Sequence, residues 1–302
     1  MSDSESRPSR TESKPRLAAT AIVLREHENE VQVLMTRRHA ALAFMGGMWV
    51  FPGGTLTEAD RSNAARELLP SSGSFVLRDI EGNALPQDLS IALAVAAIRE
   101  TYEEAGILFA RRKDGQWPSS EQLRRLQADR ARLTTDPALF IDALAQEELI
   151  LGVDRLIYWA HWITPSGLPR RFDTRFFVAR APEQHDLIAD AHETAECLWA
   201  SPKKLIERAA RGEMKIPQPT LYTLEDLRSS IERHRTLDAL MSTESGREVA
   251  AIMPKMFDAD GQTIIVMPWD PSYPSLPGEG VRTDQSFEPA LLALPGRIER
   301  DH

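Results

Sequence analysis

In the run RETYEEAG, Arg99 to Gly106, the acidic residues Glu100, Glu103 and Glu104 stand at i, i+3 and i+4. On a helix that spacing gathers three carboxylates on one face. Like charges so close raise one another's proton affinity, a cost that a divalent cation removes. Hard oxygen donors on a rigid helix suit Mg2+ or Mn2+. Arg99, four residues before Glu103, can brace that carboxylate with a charge-assisted hydrogen bond. A bare pair of glutamates is ordinary helix surface. Here the pattern is longer, with Gly106 allowing a tight exit and Ala96 and Ala97 leaving room beside the acids. Upstream, FPGG at Phe51 to Gly54 permits close backbone approach to a ligand. Arg37, Arg38 and His39, just before that loop, read equally as ligand contacts or as a basic strand end.

The elements that must position these groups can be read from periodicity. SIALAVAAIRETYEEAG is a helix, with Ser90 as its cap and Gly106 as its stop. Steps of 100° set Ile91, Val95, Ile98, Tyr102 and Ala105 on a face apart from the acids, giving a core side and an acid side. LAATAIVL and EVQVLMTRR form a hairpin across REHEN. Residues 59–87 read as an inserted surface loop with one short strand, SFVLRDI. EQLRRLQADRARL and PALFIDALAQEEL are amphipathic helices, and RLIYWAHWIT and RFFVARA are strands. ECLWA is a strand entering the helix SPKKLIERAARGE, with Ser201 as N-cap and Pro202 in its first turn. PWDPSYPSLPGEG is expected to be an extended surface tail. The chain is therefore of α/β (α+β) type: a disordered tail over 1–15, a domain over 16–215 with an insertion at about 61–89, and an extension over 216–302 packing on that domain.

Composition narrows the partners. A chain of 302 residues with 42% hydrophobic content can bury a sizeable core, and its net charge of −9 argues against nucleic acid and anionic membranes as partners. The polar opening run does not read as a signal peptide, and LAATAIVL is too short to span a bilayer, so a cytoplasmic location is expected. The single cysteine, Cys197, excludes an internal disulfide and reads as a core residue, and His161 as a strand residue with satisfied hydrogen bonds.

Residues 99–107 match R-E-U-x-E-E-x-G-U, the second half of the Nudix box, where U is bulky and apolar and Thr101 is the one departure. The usual box begins with glycine, five residues and a glutamate; Gly54 leads here to Asp60. Residues 61–98, thirty-eight positions, separate the halves where the usual box has seven, so the box is interrupted. The chain thus resembles the Nudix hydrolases, and within them the peroxisomal-type coenzyme A diphosphatases and their bacterial relatives. Leu34, Thr36, Arg38, Gly47 and Phe51 to Gly54 fall in register with the upstream signature of the coenzyme A-cleaving group, whereas Met35, His39 and Ala43 depart from it. The resemblance runs from about Leu17 to Glu213.

The resemblance implies a Nudix fold, a mixed β-sheet sandwiched between helices, with a lobe inserted within the box and a C-terminal extension. It implies metal-dependent cleavage of the diphosphate bond of a nucleoside diphosphate linked to another moiety. Coenzyme A or an acyl derivative is the leading substrate. An ADP-ribose or NADH diphosphatase, or a non-catalytic nucleotide sensor, is the alternative. Mg2+ or Mn2+ would be held by Glu100, Glu103, Glu104 and a loop carbonyl of Gly53 or Gly54. The base would be a helix glutamate, Glu100 or Glu103, or a later acid, Glu196 or Glu193. Asp60 would hold Arg99 and not the metal. Arg37, Arg38 and Gly53 would meet the substrate, with Arg175 favoured over Arg170 and Arg171. Trp159, Trp162 and Phe176 read as core, with one able to stack on adenine. A homodimer is compatible with the family, and the insertion is expected to form a lobe over the mouth of the site.

Overall fold

A computed structural model describes residues 13–71, 76–182, 194–259 and 262–301. The chain opens with the expected hairpin, β1 (Arg16–His27) and β2 (Glu30–Arg38). Glu28 and Asn29 join them with φ of 50° and 61°, the left-handed values that a two-residue hairpin loop requires. Next come β3 (Trp49–Val50), β4 (Gly53–Thr55), a short helix α1 (Asn63–Glu67) and the long helix α2 (Gln87–Ala105). Then β5 (Ala110–Arg112), α3 (Ser120–Leu133), α4 (Pro137–Gln146) and β6 (Leu149–Leu151) precede the strands β7 (Ile157–Ile163), β8 (Phe172–Arg180) and β9 (Thr194–Ala200). The rest is α5 (Pro202–Ala210), α6 (Gln218–His234), α7 (Leu237–Thr243), β10 (Ala251–Ile252), β11 (Lys255–Ala259), β12 (Gln262–Val266), α8 (Pro289–Leu292) and β13 (Arg297–Asp301).

Among the described residues an eight-stranded mixed sheet runs β10-β7-β8-β1-β2-β3, with β4 also on β1 and β9 also on β2. β1 lies parallel to β8 and exchanges its other neighbour along its length: Ala18–Thr20 pair with β4, Leu24–His27 with β2. That exchange delivers the glycine loop to the centre of the sheet. Both faces are covered, which is why β1 is a nearly continuous apolar run. Val23 and Leu34 face α2 and α4 through Leu93, Ile98, Phe140 and Leu144. Their neighbours Ile22, Leu24, Val33 and Met35 face Leu205, Leu224, Leu227 and Leu240 of α5, α6 and α7. The fold is the sandwich that the box implied.

Several elements depart from expectation. α2 begins at Gln87, not Ser90: Pro86 holds the preceding backbone extended, and Asp88 complements the first turn. Ala96 and Ala97 lie in the core, because α2 is buried around most of its circumference, and so leave no room beside the acids. Gly106 closes the helix at φ 73°, as expected. Within SFVLRDI, Ser74 and Phe75 lie outside the described residues, and the remainder contributes an isolated bridge from Arg78 to Ala84. The insertion is tied down: Ala65, Leu68 and Leu77 join the α2 core, and Leu151 N donates to Leu68 O (2.7 Å). The proline-rich stretch is no extended tail. Tyr273 is buried, its hydroxyl donating to Met253 O (2.6 Å) and accepting from Val281 N (3.0 Å). Beside it β11, β12 and β13 make a second, three-stranded sheet.

Candidate active site

Arg99 joins the two halves of the interrupted box. Its side chain, 2% exposed, donates from Nε and Nη2 to the two carboxylate oxygens of Asp60 (2.9 and 3.1 Å). Nη1 donates to Glu100 Oε1 (2.9 Å) and Glu103 Oε2 (2.8 Å), and Nη2 also to Thr55 O (3.1 Å). Asp60 is held in turn by the backbone N and hydroxyl of Thr57, both at 2.8 Å. Burial works against the guanidinium's charge, but Glu100, Asp60 and Glu103 outweigh it and raise its pKa. β4 lies so close to α2 that a Cβ on Gly54 would stand 2.3 Å from Glu100 Oε1. One on Gly53 would stand 2.5 Å from Thr20 Oγ1 and 2.6 Å from Ala19 O, so a side chain there would have to displace backbone, and one on Gly54 would have to displace Glu100.

Glu103 Oε1 is buried and has no hydrogen-bond partner. Burial pushes this carboxyl up to about 8; Arg99 opposes the shift and Glu100 adds to it. Glu104 is reached by the Thr36 hydroxyl at 3.4 Å and by Arg38 Nη1 at 3.9 Å. Among the described residues no group of three His, Cys, Asp or Glu side chains is already set to hold a metal ion, and Glu100 and Glu103 each give one oxygen to Arg99. The orphaned Glu103 oxygen and the all-carboxylate donor set nonetheless fit a hard divalent cation. Periodicity also held a clue to a group not foreseen. Arg130 shares the buried face of α3 with Leu126 and Leu133, and its Nη2 donates to Glu103 O (2.8 Å) at the C-terminal end of α2.

The carboxylates open into a cavity of about 1180 Å3. Gly53, Gly54, Arg38, Glu100, Glu103 and Glu104 line it. Arg37 does not; alternation with Thr36, whose hydroxyl reaches Glu104, turns it away from the helix carboxylates, and it pairs with Glu196 at 3.7 Å. Glu196 is thereby placed apart from the helix carboxylates, and Glu193 lies outside the described residues. Arg175 is fully buried, bonded to Asp173 and, through Nη2, to Arg78 O (2.7 Å), so it ties β8 to the insertion and contributes nothing to the cavity. His161 Nε2 lies 2.6 Å from Asp173 Oδ1, the satisfied strand histidine expected, and burial lowers its pKa. Arg170, Arg16 and Arg300 reach the cavity instead. Trp162 and Phe176 line it, whereas Trp159 is covered by the Arg247 guanidinium.

The walls also differ from expectation. None of the described residues of 61–89 lines the cavity. The wall is completed by the C-terminal extension, through Pro217, Gln218, Met256, Ile265, Met267 and Arg300. No helix among the described residues is long and apolar enough to cross a membrane.

The profile of the NUDT19 Nudix domain matches residues 10–227. The acyl-coenzyme A diphosphatase NUDT19 of Gallus gallus is 29% identical over 289 residues, covering 82% of this chain and 74% of that protein. Its Homo sapiens namesake is 28% identical over 65% of this chain and 60% of its own length. Among solved structures, a NUDIX hydrolase from Alicyclobacillus acidocaldarius is similar at a TM-score of 0.63 and 27% identity, covering 78% of this chain and 99% of that one.

Proposed function

The chain belongs to the NUDT19 Nudix-domain family, and from that premise we propose that it hydrolyses the diphosphate bond of coenzyme A or an acyl-coenzyme A, releasing 3',5'-ADP and phosphopantetheine or its acyl derivative. The observation that carries the reading is the Arg99 hub, which ties Asp60 to Glu100 and Glu103, two carboxylates that line a large cavity. The names of the relatives and the register of Leu34, Thr36, Arg38 and the glycine loop support the substrate.

Glu100, Glu103 and Glu104, with the carbonyl of Gly54, would hold Mg2+ or Mn2+. Such a cation supplies charge neutralisation on the phosphoryl oxygens and a lowered pKa for bound water. Arg99 keeps Glu100 and Glu103 oriented while remaining out of the reaction itself, because all its donors are engaged. A water oxygen forms a bond to one phosphorus as that phosphorus loses its bond to the bridging oxygen, which departs on the other phosphate. The water's proton passes to a helix carboxylate, since Glu196 stands on the far side of β2. Arg38 and Arg16, at this end of the cavity, face the anionic substrate.

The test is product analysis with Mg2+ on coenzyme A, an acyl-coenzyme A, ADP-ribose, NADH and a diadenosine polyphosphate. Preferred release of 3',5'-ADP from the coenzyme A compounds is expected. Preference for ADP-ribose would remove the substrate assignment and leave the chemistry. Tight binding of one compound without turnover would leave a sensor.

A further inference from the structure

The face of the β11-β12-β13 sheet that meets the cavity carries a row of side chains that the chemistry at α2 does not use. Strand alternation sends Ile264 and Val266 into a small core with Met253 and Tyr273, and turns Thr263 and Ile265 to the cavity. Met256 stands opposite Ile265 in the ladder, and Arg300 opposite Thr263, on that same face. Met256 and Ile265 are only partly buried, so aliphatic surface on this sheet borders the cavity directly. Ile216 and Trp162 continue it.

At Met256 and Ile265 this wall differs in kind from the carboxylates, with Thr263 and Arg300 beside them on the same face. Methionine and isoleucine offer adaptable apolar surface and no hydrogen-bond donor, whereas a nucleobase needs its polar edges satisfied. At the other end Arg16 Nη2 donates to the Thr55 hydroxyl (3.4 Å) and Arg38 stands near Glu104, so cations gather there for phosphate. The volume, about 1180 Å3, exceeds the roughly 300–1,000 Å3 of ordinary small-molecule sites and leaves room beyond a diphosphate and its nucleotide.

We infer that the Met256–Ile265 face of the C-terminal sheet is the subsite for an aliphatic acyl chain at the far end of the diphosphate substrate, and that this sheet sets the preference for chain length. The inference rests on the diphosphatase reading above. Each methylene that enters such a subsite raises kcat/KM by up to about fourfold, the equivalent of about 0.8 kcal/mol.

The experiment compares kcat/KM for acetyl-, octanoyl- and dodecanoyl-coenzyme A with Mg2+, using the full chain and its Ile265→Trp and Met256→Ala variants, each checked for folding by circular dichroism. The wild type is expected to favour dodecanoyl over acetyl by ~10-fold or more. Ile265→Trp, which fills the subsite, should cut that ratio by ~10-fold, and Met256→Ala by a few-fold. If the tryptophan variant does not fold, the ratio in Met256→Ala decides. A wild-type ratio near one, or a ratio unchanged in the folded variants, overturns the subsite while the diphosphatase reading stands. No cleavage of the diphosphate bond in any of the three acyl compounds overturns the inference, and no cleavage of free coenzyme A beside them overturns that reading as well.

Discussion

Glu103 is pulled in two directions, by a burial that favours its neutral form and by an Arg99 contact that favours its charge, and burial prevails. Without a cation the unfolded chain releases this proton near 4.5, while the folded chain holds it until about 8. The group's contribution to stability is thus complete below 4.5 and is lost as pH rises toward 8. In the metal-free protein, denaturant titrations should show wild type weakening across that window relative to Glu103→Gln, by at most a few kcal/mol, since one pH unit corresponds to about 1.4 kcal/mol. Mg2+ should restore the wild type more at pH 8.5 than at pH 6, and the variant little at either. Equal pH dependence in the two proteins would contradict the account of Glu103. The acids and Arg99 were legible in the sequence because helical spacing alone fixes their relative directions. Arg175 was not: its fate depends on Asp173 and on the Arg78 carbonyl, which reaches it from the insertion. Arg16 and Arg300 were not legible either, because they come to the cavity from opposite ends of the chain.

At the scale of elements, the glycine loop and α2 were readable from pattern, as were the hairpin and the amphipathic helices α3 and α4. The start of α2 was less so, because Ser90 has a cap's chemistry but lies buried inside the helix. The strands of the C-terminal sheet are five residues each, so alternation had little length over which to show; β11 and β12 pair from Ala259 and Gln262, near neighbours in sequence, whereas β13 returns to β12 only from Arg297. The insertion was expected over the mouth of the site, yet its described residues pack on the α2 core through Leu77 and Leu68. It therefore acts as a brace. Leu77→Ala should cost about 2–5 kcal/mol of stability, the usual penalty for emptying a fully buried leucine site. The ratio of kcat/KM for coenzyme A over ADP-ribose should not change. A changed ratio with unchanged stability would return the insertion to the role of substrate selector.

For the molecule as a whole, a net charge of −9 must coexist with an anionic substrate. The cavity resolves this locally, with Arg16, Arg38, Arg170 and Arg300 drawn from the first strand, the second strand, the approach to β8 and the last strand. The family's box supplies one wall of this cavity and the residues beyond 215 supply another. Everything in this account turns on the carboxylate face of α2. The most direct measurement is the rate of 3',5'-ADP release from an acyl-coenzyme A with Mg2+, by wild type and by Glu103→Gln and Glu104→Gln. The account predicts release by wild type and a loss of ~100-fold or more in each variant that still folds. Wild type and variants equally active, or equally inactive while the compound binds tightly, would contradict it.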